Sequence, residues 1–159
     1  MEESSSPVDS KTLVAQWLAA GPSTPEGLAM VTDDFRWQAP RSVAELIGSP
    51  DAALHGRHGL RTLPAIDQAV YAKSDDVAGS TNMHFMIAED DLVVLEYDAE
   101  FVTHDGDPCH NYYCMVIRVT DGKIAEVREH ADTHYFHTVV MGTPEKRSAV
   151  LERLNRFRQ

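Results

Sequence analysis

The spacing of the apolar residues changes near Ser74. Before this point apolar side chains recur with a period close to 3.6 residues, as in Leu13 and Trp17, and this spacing is typical of helices. After it, apolar and polar residues alternate, which is typical of strands with one protected face. The clearest alternation is "LEYDAEF" at residues 95–101. The pattern therefore predicts helices first and β-strands afterwards.

Capping residues indicate where the first helices begin and end. Asp9 or Ser10 is expected to cap a helix that ends at Gly21. Thr24 is expected to cap a second helix with Pro25 at its first position. Proline is tolerated there because the first N–H of a helix has no partner within the helix.

The rest of the chain is predicted to contain a helical segment, a run of strands and a final helix. Helical spacing continues over 56–71, with a kink or a restart of the helix expected at Pro64. Thr143 is expected to cap the last helix. Between them, tight turns at 89–91, 104–108 and 120–124 separate the predicted strands.

These elements favour a single α+β domain with N-terminal helices packed over the concave face of a curved antiparallel sheet. A chain of 159 residues can build one such core. Residues 1–8 are predicted to form a disordered tail, residues 9–140 the α+β domain, and residues 141–159 a C-terminal helix. A sheet bent around helices leaves a pocket between the layers, where a small molecule is expected to bind.

Charge and composition exclude several classes of function. The chain carries 14 Lys and Arg against 25 Asp and Glu, a net charge of −11, so a nucleic-acid or anionic-membrane partner is not expected. No apolar run approaches the roughly 20 residues of a membrane span. The N-terminus lacks the pattern of a secretory signal, and Cys109 and Cys114 are expected to stay reduced. We therefore expect a cytoplasmic protein.

The segment "EVREHADTH" at residues 126–134 raises the main chemical question. In an extended strand Arg128, His130 and Asp132 share one face. Asp132 is a candidate general base, because burial raises the pKa of a carboxyl and a nearby cation lowers it. His130 titrates in the same range and is a candidate to share the proton. A structural ion pair between Arg128 and a neighbouring carboxylate is the alternative.

A metal site is a third interpretation of this segment. His130, Asp132, His134 and His137 are closely spaced, and imidazole and carboxylate groups bind zinc or iron. However, His134 falls near the expected end of the strand, and the sequence has no H-E-x-x-H motif. A site without metal or cofactor is therefore preferred.

Other candidates for the pocket lie on the other predicted strands. His84 is a candidate acid–base residue, although a lone strand histidine is more often structural. Tyr97 and Tyr113 are candidates to orient a ligand or to donate to an oxyanion, with core packing as the alternative. Trp37 and Met115 are expected to line the apolar wall. The sequence lacks a G-x-S-x-G elbow and a glycine-rich phosphate loop.

The segment "HNYYCMVIRVTDGKIAEVREHADT" resembles the C-terminal strands of SnoaL-like proteins in the nuclear-transport-factor-2-like superfamily. The resemblance rests on N-x-Y at Asn111 and Tyr113, D-G-K-I at 121–124, and "REHADT" at 128–133. It implies a cone-shaped α+β roll that binds a hydrophobic small molecule without a cofactor and is commonly a homodimer.

The resemblance also implies roles for individual residues. Asp132 occupies a position similar to the acid–base aspartate of the polyketide cyclases, and His84 is similar to a pocket histidine of the dehydratases. Two subfamilies fit less well. Ala39 stands where ketosteroid isomerases have an aspartate, and Tyr97 and Ala99 stand where epoxide hydrolases have Arg-x-Asp.

The leading hypothesis is a cofactor-independent lyase, isomerase or cyclase, of dehydratase or polyketide-cyclase type, acting on an apolar oxygenated substrate. The alternative is a non-catalytic ligand-binding or dimerisation module. The sequence does not identify the substrate. The predicted catalytic residues are Asp132, His84 and His130. The predicted ligand contacts are Trp37, Tyr97, Asn111, Tyr113, Met115 and Arg128.

Overall fold

The computed structural model describes residues 9–72 and 80–158, so the predicted tail at 1–8 lies outside the described residues. No helix in these two ranges is long and apolar enough to cross a membrane. The described chain contains seven α-helices, with a 3₁₀ turn at Arg41–Val43 before the third. They are α1 (Ser10–Ala20), α2 (Pro25–Ala29), α3 (Ala44–Ile47), α4 (Gly56–Leu60), α5 (Leu63–Val70), α6 (Thr133–Val139) and α7 (Pro144–Phe157).

Six strands form one curved, unclosed sheet in the order β2-β1-β6-β5-β4-β3. They are β1 (Val31–Gln38), β2 (Ala53–His55), β3 (Ser80–Glu89), β4 (Leu92–Val102), β5 (Pro108–Thr120) and β6 (Lys123–Ala131). The predicted α+β class is confirmed. The sheet is mixed, because β1 runs parallel to β6 while the other pairs are antiparallel. A parallel pair needs a long crossover, and the chain between β1 and β6 supplies it.

The helix ends follow the capping residues. The Asp9 side chain accepts a hydrogen bond from the Thr12 amide at the start of α1, and the chain leaves that helix at Gly21 with φ of 87°. Thr24 caps α2, which has Pro25 in its first turn. Thr143 caps α7. The predicted helix over 56–71 forms as two helices, α4 and α5, because Pro64 fits only in the first turn of a helix.

An aromatic cluster joins α1 to the concave face of the sheet. Trp17 of α1 is fully buried, and its ring centroid lies 6.2 Å from that of Phe35 and 6.0 Å from that of Trp37, both on β1. Apolar residues of β4, β5 and β6, including Val93, Ile117 and Val127, complete this core. Burial of so much aromatic surface fixes α1 against the sheet and with it the orientation of Trp37.

A second apolar cluster forms where α6 and α7 pack near α3, α5 and the start of β5. It includes Leu46, Val70, Cys109, Phe136 and Val150. The concave face of the sheet is open between the two clusters, and members of both line the cavity there. The fold therefore supports the cavity from two sides.

Replacement of Trp17 by alanine tests whether this aromatic cluster anchors α1. Removing a fully buried indole should lower the free energy of unfolding by about 3–5 kcal/mol, because transfer free energy is lost and a cavity remains. Chemical denaturation followed by far-UV circular dichroism measures the change. Gln16→Ala, at the exposed neighbouring position, should change stability by less than about 0.5 kcal/mol. Equal effects of the two substitutions would contradict the assignment.

Candidate functional site

The cavity on the concave face has a volume of about 260 Å³ and is mostly apolar. This volume is slightly below the range of roughly 300–1,000 Å³ found for ligand pockets, so a compact ligand fits best. Polar and titratable side chains interrupt the apolar wall at a few positions. They are Asp67, Tyr71, Thr81, Tyr97, Asn111, Tyr113, Glu129 and Thr133.

Glu129 is the carboxylate that the sheet itself places in the cavity. It pairs in register with Met115, and Ala131 pairs with Tyr113, so these side chains share the concave face. The indole N–H of Trp37 donates a hydrogen bond to Glu129 Oε2 at 3.2 Å. This contact fixes one carboxylate oxygen and leaves Oε1 for a ligand.

The surroundings of Glu129 shift its acidity toward neutrality. Burial has the largest effect and raises the pKa of its carboxyl to about 7, while the hydrogen bond from Trp37 opposes part of this shift. The negative charge of Asp67 raises it slightly further. Asp67 belongs to α5, is exposed and lines the cavity, which places it at the rim. A carboxyl with a pKa near 7 exchanges protons readily at neutral pH, which is what a general acid–base group requires.

Three tyrosines supply hydroxyl donors on the same wall. The rings of Tyr97 and Tyr113 stack with centroids 4.9 Å apart, and Tyr71 stacks on Phe101 at 4.2 Å. Burial raises the pKa of all three hydroxyls, that of Tyr113 to about 12. The hydroxyls of Tyr71 and Tyr113 lie close enough to influence each other, which raises the pKa of Tyr71 and lowers that of Tyr113. The tyrosines therefore stay protonated at neutral pH and act as hydrogen-bond donors rather than bases.

Comparison with known proteins fits this architecture. A family profile described as a SnoaL-like domain matches residues 18–127. The chain belongs to the SnoaL-like family. No curated protein matches the chain in sequence.

Solved structures share the fold of this SnoaL-like chain at low sequence identity. TerC co-crystallized with polyporic acid is 18% identical with a TM-score of 0.67, over 80% of this chain and 95% of TerC. A putative SnoaL-like polyketide cyclase from Jannaschia sp. CCS1 is 13% identical with a TM-score of 0.63, over 88% and 99%. An NTF2-like protein of unknown function from Burkholderia pseudomallei K96243 is 16% identical with a TM-score of 0.64, over 80% and 94%.

Five residues predicted as ligand contacts lie on the cavity wall of the SnoaL-like domain. They are Trp37, Tyr97, Asn111, Tyr113 and Met115. Alternation along β4 and β5 places the last four on the concave face. Their contact with a ligand stays a prediction.

Asp132 lies outside the cavity wall and caps a helix. Strand β6 ends at Ala131, and Asp132 Oδ1 accepts a hydrogen bond from the Tyr135 amide at 2.9 Å at the start of α6. The expected position of Asp132 in the pocket is therefore corrected. Alternation along β6 groups Asp132 with Arg128 and His130, and this face points away from the cavity because Glu129 and Ala131 face it. At the end of the strand Asp132 satisfies a free amide of α6 instead.

His84 lies on the outer face of the sheet. The register between β3 and β4 shifts between Met83 and Phe85, and at this bulge the His84 ring faces Glu96 and Asp98. Its Nε2 is hydrogen-bonded to Asp98 Oδ1, and its Nδ1 lies 3.1 Å from Glu96 Oε1. The expectation that His84 faces the pocket is corrected, because a bulge changes the face that a side chain occupies.

His130 and Arg128 also lie outside the cavity wall. Both alternate with Glu129 and are exposed, and Arg128 Nε lies 3.8 Å from Glu126 Oε2. This geometry matches the ion pair that was the alternative interpretation of the strand. Within residues 9–72 and 80–158, no group of three or more His, Cys, Asp or Glu side chains is arranged to hold a metal ion.

Glu129 and Asp67 are not among the site residues predicted from the sequence. Glu129 shares its face with Val127 and Ala131, and an acid between small and apolar residues on a protected face is the signal that identifies it. Asp67 follows Ile66 within the apolar stripe of α5. On β6 the candidates predicted from the sequence, Arg128, His130 and Asp132, lie on the face opposite to the one that carries Glu129.

The raised pKa of Glu129 predicts a stability cost at neutral pH. The folded state holds a proton up to a pKa of about 7, whereas the unfolded state releases it near 4.5, so stability should fall as the pH rises between these values. Glu129→Gln removes the titrating carboxyl and with it this loss of stability at higher pH. It should match the wild type near pH 4 and exceed it at pH 8 by at most about 3 kcal/mol.

Urea denaturation between pH 4 and 8 measures this difference. Glu126→Gln, on the opposite face of the same strand, is the matched control and should show no such growth with pH. A stability difference between wild type and Glu129→Gln that stays constant across the range would contradict the shifted pKa.

Proposed function

We propose that this SnoaL-like protein is a cofactor-independent enzyme that transfers protons on a compact, apolar, oxygenated small molecule. Glu129 takes the acid–base role that the sequence analysis gave to Asp132. The observation that supports the proposal is a half-buried carboxyl that faces the cavity, has a pKa near 7 and is held by Trp37 beside protonated tyrosines. A carboxylate in a structural ion pair would instead have a lowered pKa, because the neighbouring cation stabilises its charge.

The proposed reaction begins with removal of a proton from carbon. Glu129 Oε1 takes a proton from the carbon next to a substrate carbonyl. The electron pair of the broken C–H bond forms the C=C bond of the enolate, and the π electrons of the carbonyl move to its oxygen. Tyr97 or Tyr113 donates a hydrogen bond to the developing oxyanion. Asp67 at the rim keeps the site electronegative, so that Glu129 holds its proton readily after the transfer.

The fate of the enolate distinguishes the reaction types. Return of the proton to another carbon is isomerisation, attack of the enolate carbon on a second carbonyl is cyclisation, and loss of a neighbouring hydroxyl as water is dehydration. The structural likeness to a putative SnoaL-like polyketide cyclase favours cyclisation. The structural likeness to TerC, which was co-crystallized with polyporic acid, is consistent with an oxygenated ligand.

Exchange of carbon-bound hydrogen tests the first step without knowledge of the substrate. The probe is 2-tetralone in D₂O, and loss of its α-proton signals is followed by NMR. The wild type should accelerate exchange over buffer, and Glu129→Gln should lower the enzymatic rate about 10²–10⁴-fold. The wild-type rate should rise with pH through about 7, because the base must be ionised.

Two variants serve as controls in the exchange assay. Asp132→Asn keeps a side chain that can cap α6, and His84→Ala changes only the outer face, so both should retain activity. Full activity of Glu129→Gln would overturn the assignment. A wild type that binds 2-tetralone without accelerating exchange would favour the ligand-binding module instead.

We also propose that the protein forms a homodimer through the outer face of the sheet. Three side chains support this proposal. Phe85, Ile87 and Tyr112 lie on this face and are 42%, 60% and 54% exposed. Large exposed apolar side chains grouped on one face are typical of association surfaces. A second copy of the chain offers a surface of the same composition, and twofold pairing uses it on both sides.

Sedimentation equilibrium tests the homodimer. The wild type should have twice the chain mass, and Ile87→Glu should shift it to the monomer, because two carboxylates would be buried near the axis without partners. Gln16→Glu, at an exposed position of α1, adds the same charge elsewhere and should leave the dimer intact. A monomeric wild type, or a dimeric Ile87→Glu, would contradict this interface.

A further inference from the structure

A second cavity of about 480 Å³ adjoins the first behind Tyr71. It lies between the end of α5, the turn after β4 and the last turns of α7. Its lining residues are Gln68, Tyr71, His104, Arg153, Arg156 and Phe157. We call it the arginine cleft. Tyr71 lines both the central cavity and this cleft, so the two spaces meet at its side chain.

The charge of the arginine cleft is opposite to that of the protein. The chain has a net charge of −11, yet the six lining residues include two guanidinium groups and no carboxylate. Arg156 is paired with Glu152 at 2.7 Å, and both side chains are exposed. The distinctive cation is therefore Arg153.

Arg153 is partly buried and has no carboxylate partner among the described residues. Its Nη1 donates to the Ala69 carbonyl oxygen at 3.1 Å, at the C-terminal end of α5. Within the part of the chain that the structure describes, no hydrogen bond occupies its remaining N–H groups, which are therefore available to a ligand. Other cations of α7 are neutralised: Lys146 by Asp107 and Arg147 by Glu45. Withdrawing an unpaired charge from water is unfavourable, and an anionic ligand group would offset that penalty.

The surrounding groups restrict how an anion can approach. His104 Nε2 lies 2.8 Å from the Gln68 carbonyl oxygen, which fixes its ring beside the cleft as a donor at Nε2. Tyr71 and Phe157 form aromatic walls. Tyr71 is held by stacking on Phe101 and by its hydroxyl contact with Tyr113. Because Tyr71 lines both spaces, a ligand that spans them along its ring would have its apolar part beside Glu129 and its polar end near Arg153.

We propose that the arginine cleft is an anion-binding subsite and that the substrate class is an apolar ring compound bearing a carboxylate. This inference rests on the proposed function, because it assigns the apolar body of the ligand to the central cavity. Arg153 binds the carboxylate through its free N–H groups and holds the reacting carbon near Glu129. Arg153 is thus a specificity-determining residue rather than a catalytic one.

Two probes of the same shape test the subsite. Binding of 2-naphthylacetate and of its neutral analogue 2-naphthylacetamide is measured by isothermal titration calorimetry near pH 6, where most Glu129 is protonated. The wild type should prefer the acid by about tenfold or more, as expected for hydrogen bonds to a charged group. Arg153→Gln should remove this preference without weakening amide binding, and Arg153→Lys should keep part of it.

A charge control and the pattern of binding separate the possible failures. Arg61→Gln removes an exposed cation away from both cavities and should leave the preference unchanged. Equal binding of acid and amide by the wild type, or a preference that survives in Arg153→Gln, would overturn the arginine cleft alone. Failure of both probes to bind would count against the central cavity as a ligand site, and therefore against the proposed function as well.

Discussion

The hydrogen bond from Trp37 to Glu129 is the interaction on which the site depends. A carboxylate in an apolar cavity is unfavourable when charged, and a free one would turn toward water. The indole N–H holds one oxygen in place and partly offsets the desolvation. Trp37 is in turn fixed by the packing of Trp17 against β1. The core on one side of the sheet thus determines the position and acidity of the candidate base.

Most of the architecture follows from local signals. Asp9, Thr24 and Thr143 cap helices, and the alternation of β4 and β5 assigns the cavity-facing tyrosines correctly. These signals succeed because capping and alternation depend on neighbours in the chain. The parallel pairing of β1 with β6 has no such signal. It depends on contacts between segments that are far apart in the sequence.

The site is harder to predict because one residue of register decides which face a side chain occupies. The bulge before Phe85 turns His84 outward, and the start of α6 turns Asp132 into a cap. Glu129 escaped notice because polar residues on both sides of it suggested a solvated strand. Only the pairing of Glu129 with Met115 and the position of α5 over the cavity show that this half-buried side chain faces the cavity.

The two cavities keep apart two electrostatic requirements that conflict with each other. A base with a raised pKa requires a site of low polarity and negative potential, which Asp67 reinforces, whereas an anionic substrate requires a cation. A guanidinium next to Glu129 would stabilise its charge and lower its pKa, so the base would lose basicity. Placing Arg153 behind Tyr71 keeps the cation available to the ligand and away from the carboxyl. The aromatic wall between the two spaces is therefore as much a part of the proposed site as the charged groups on either side of it.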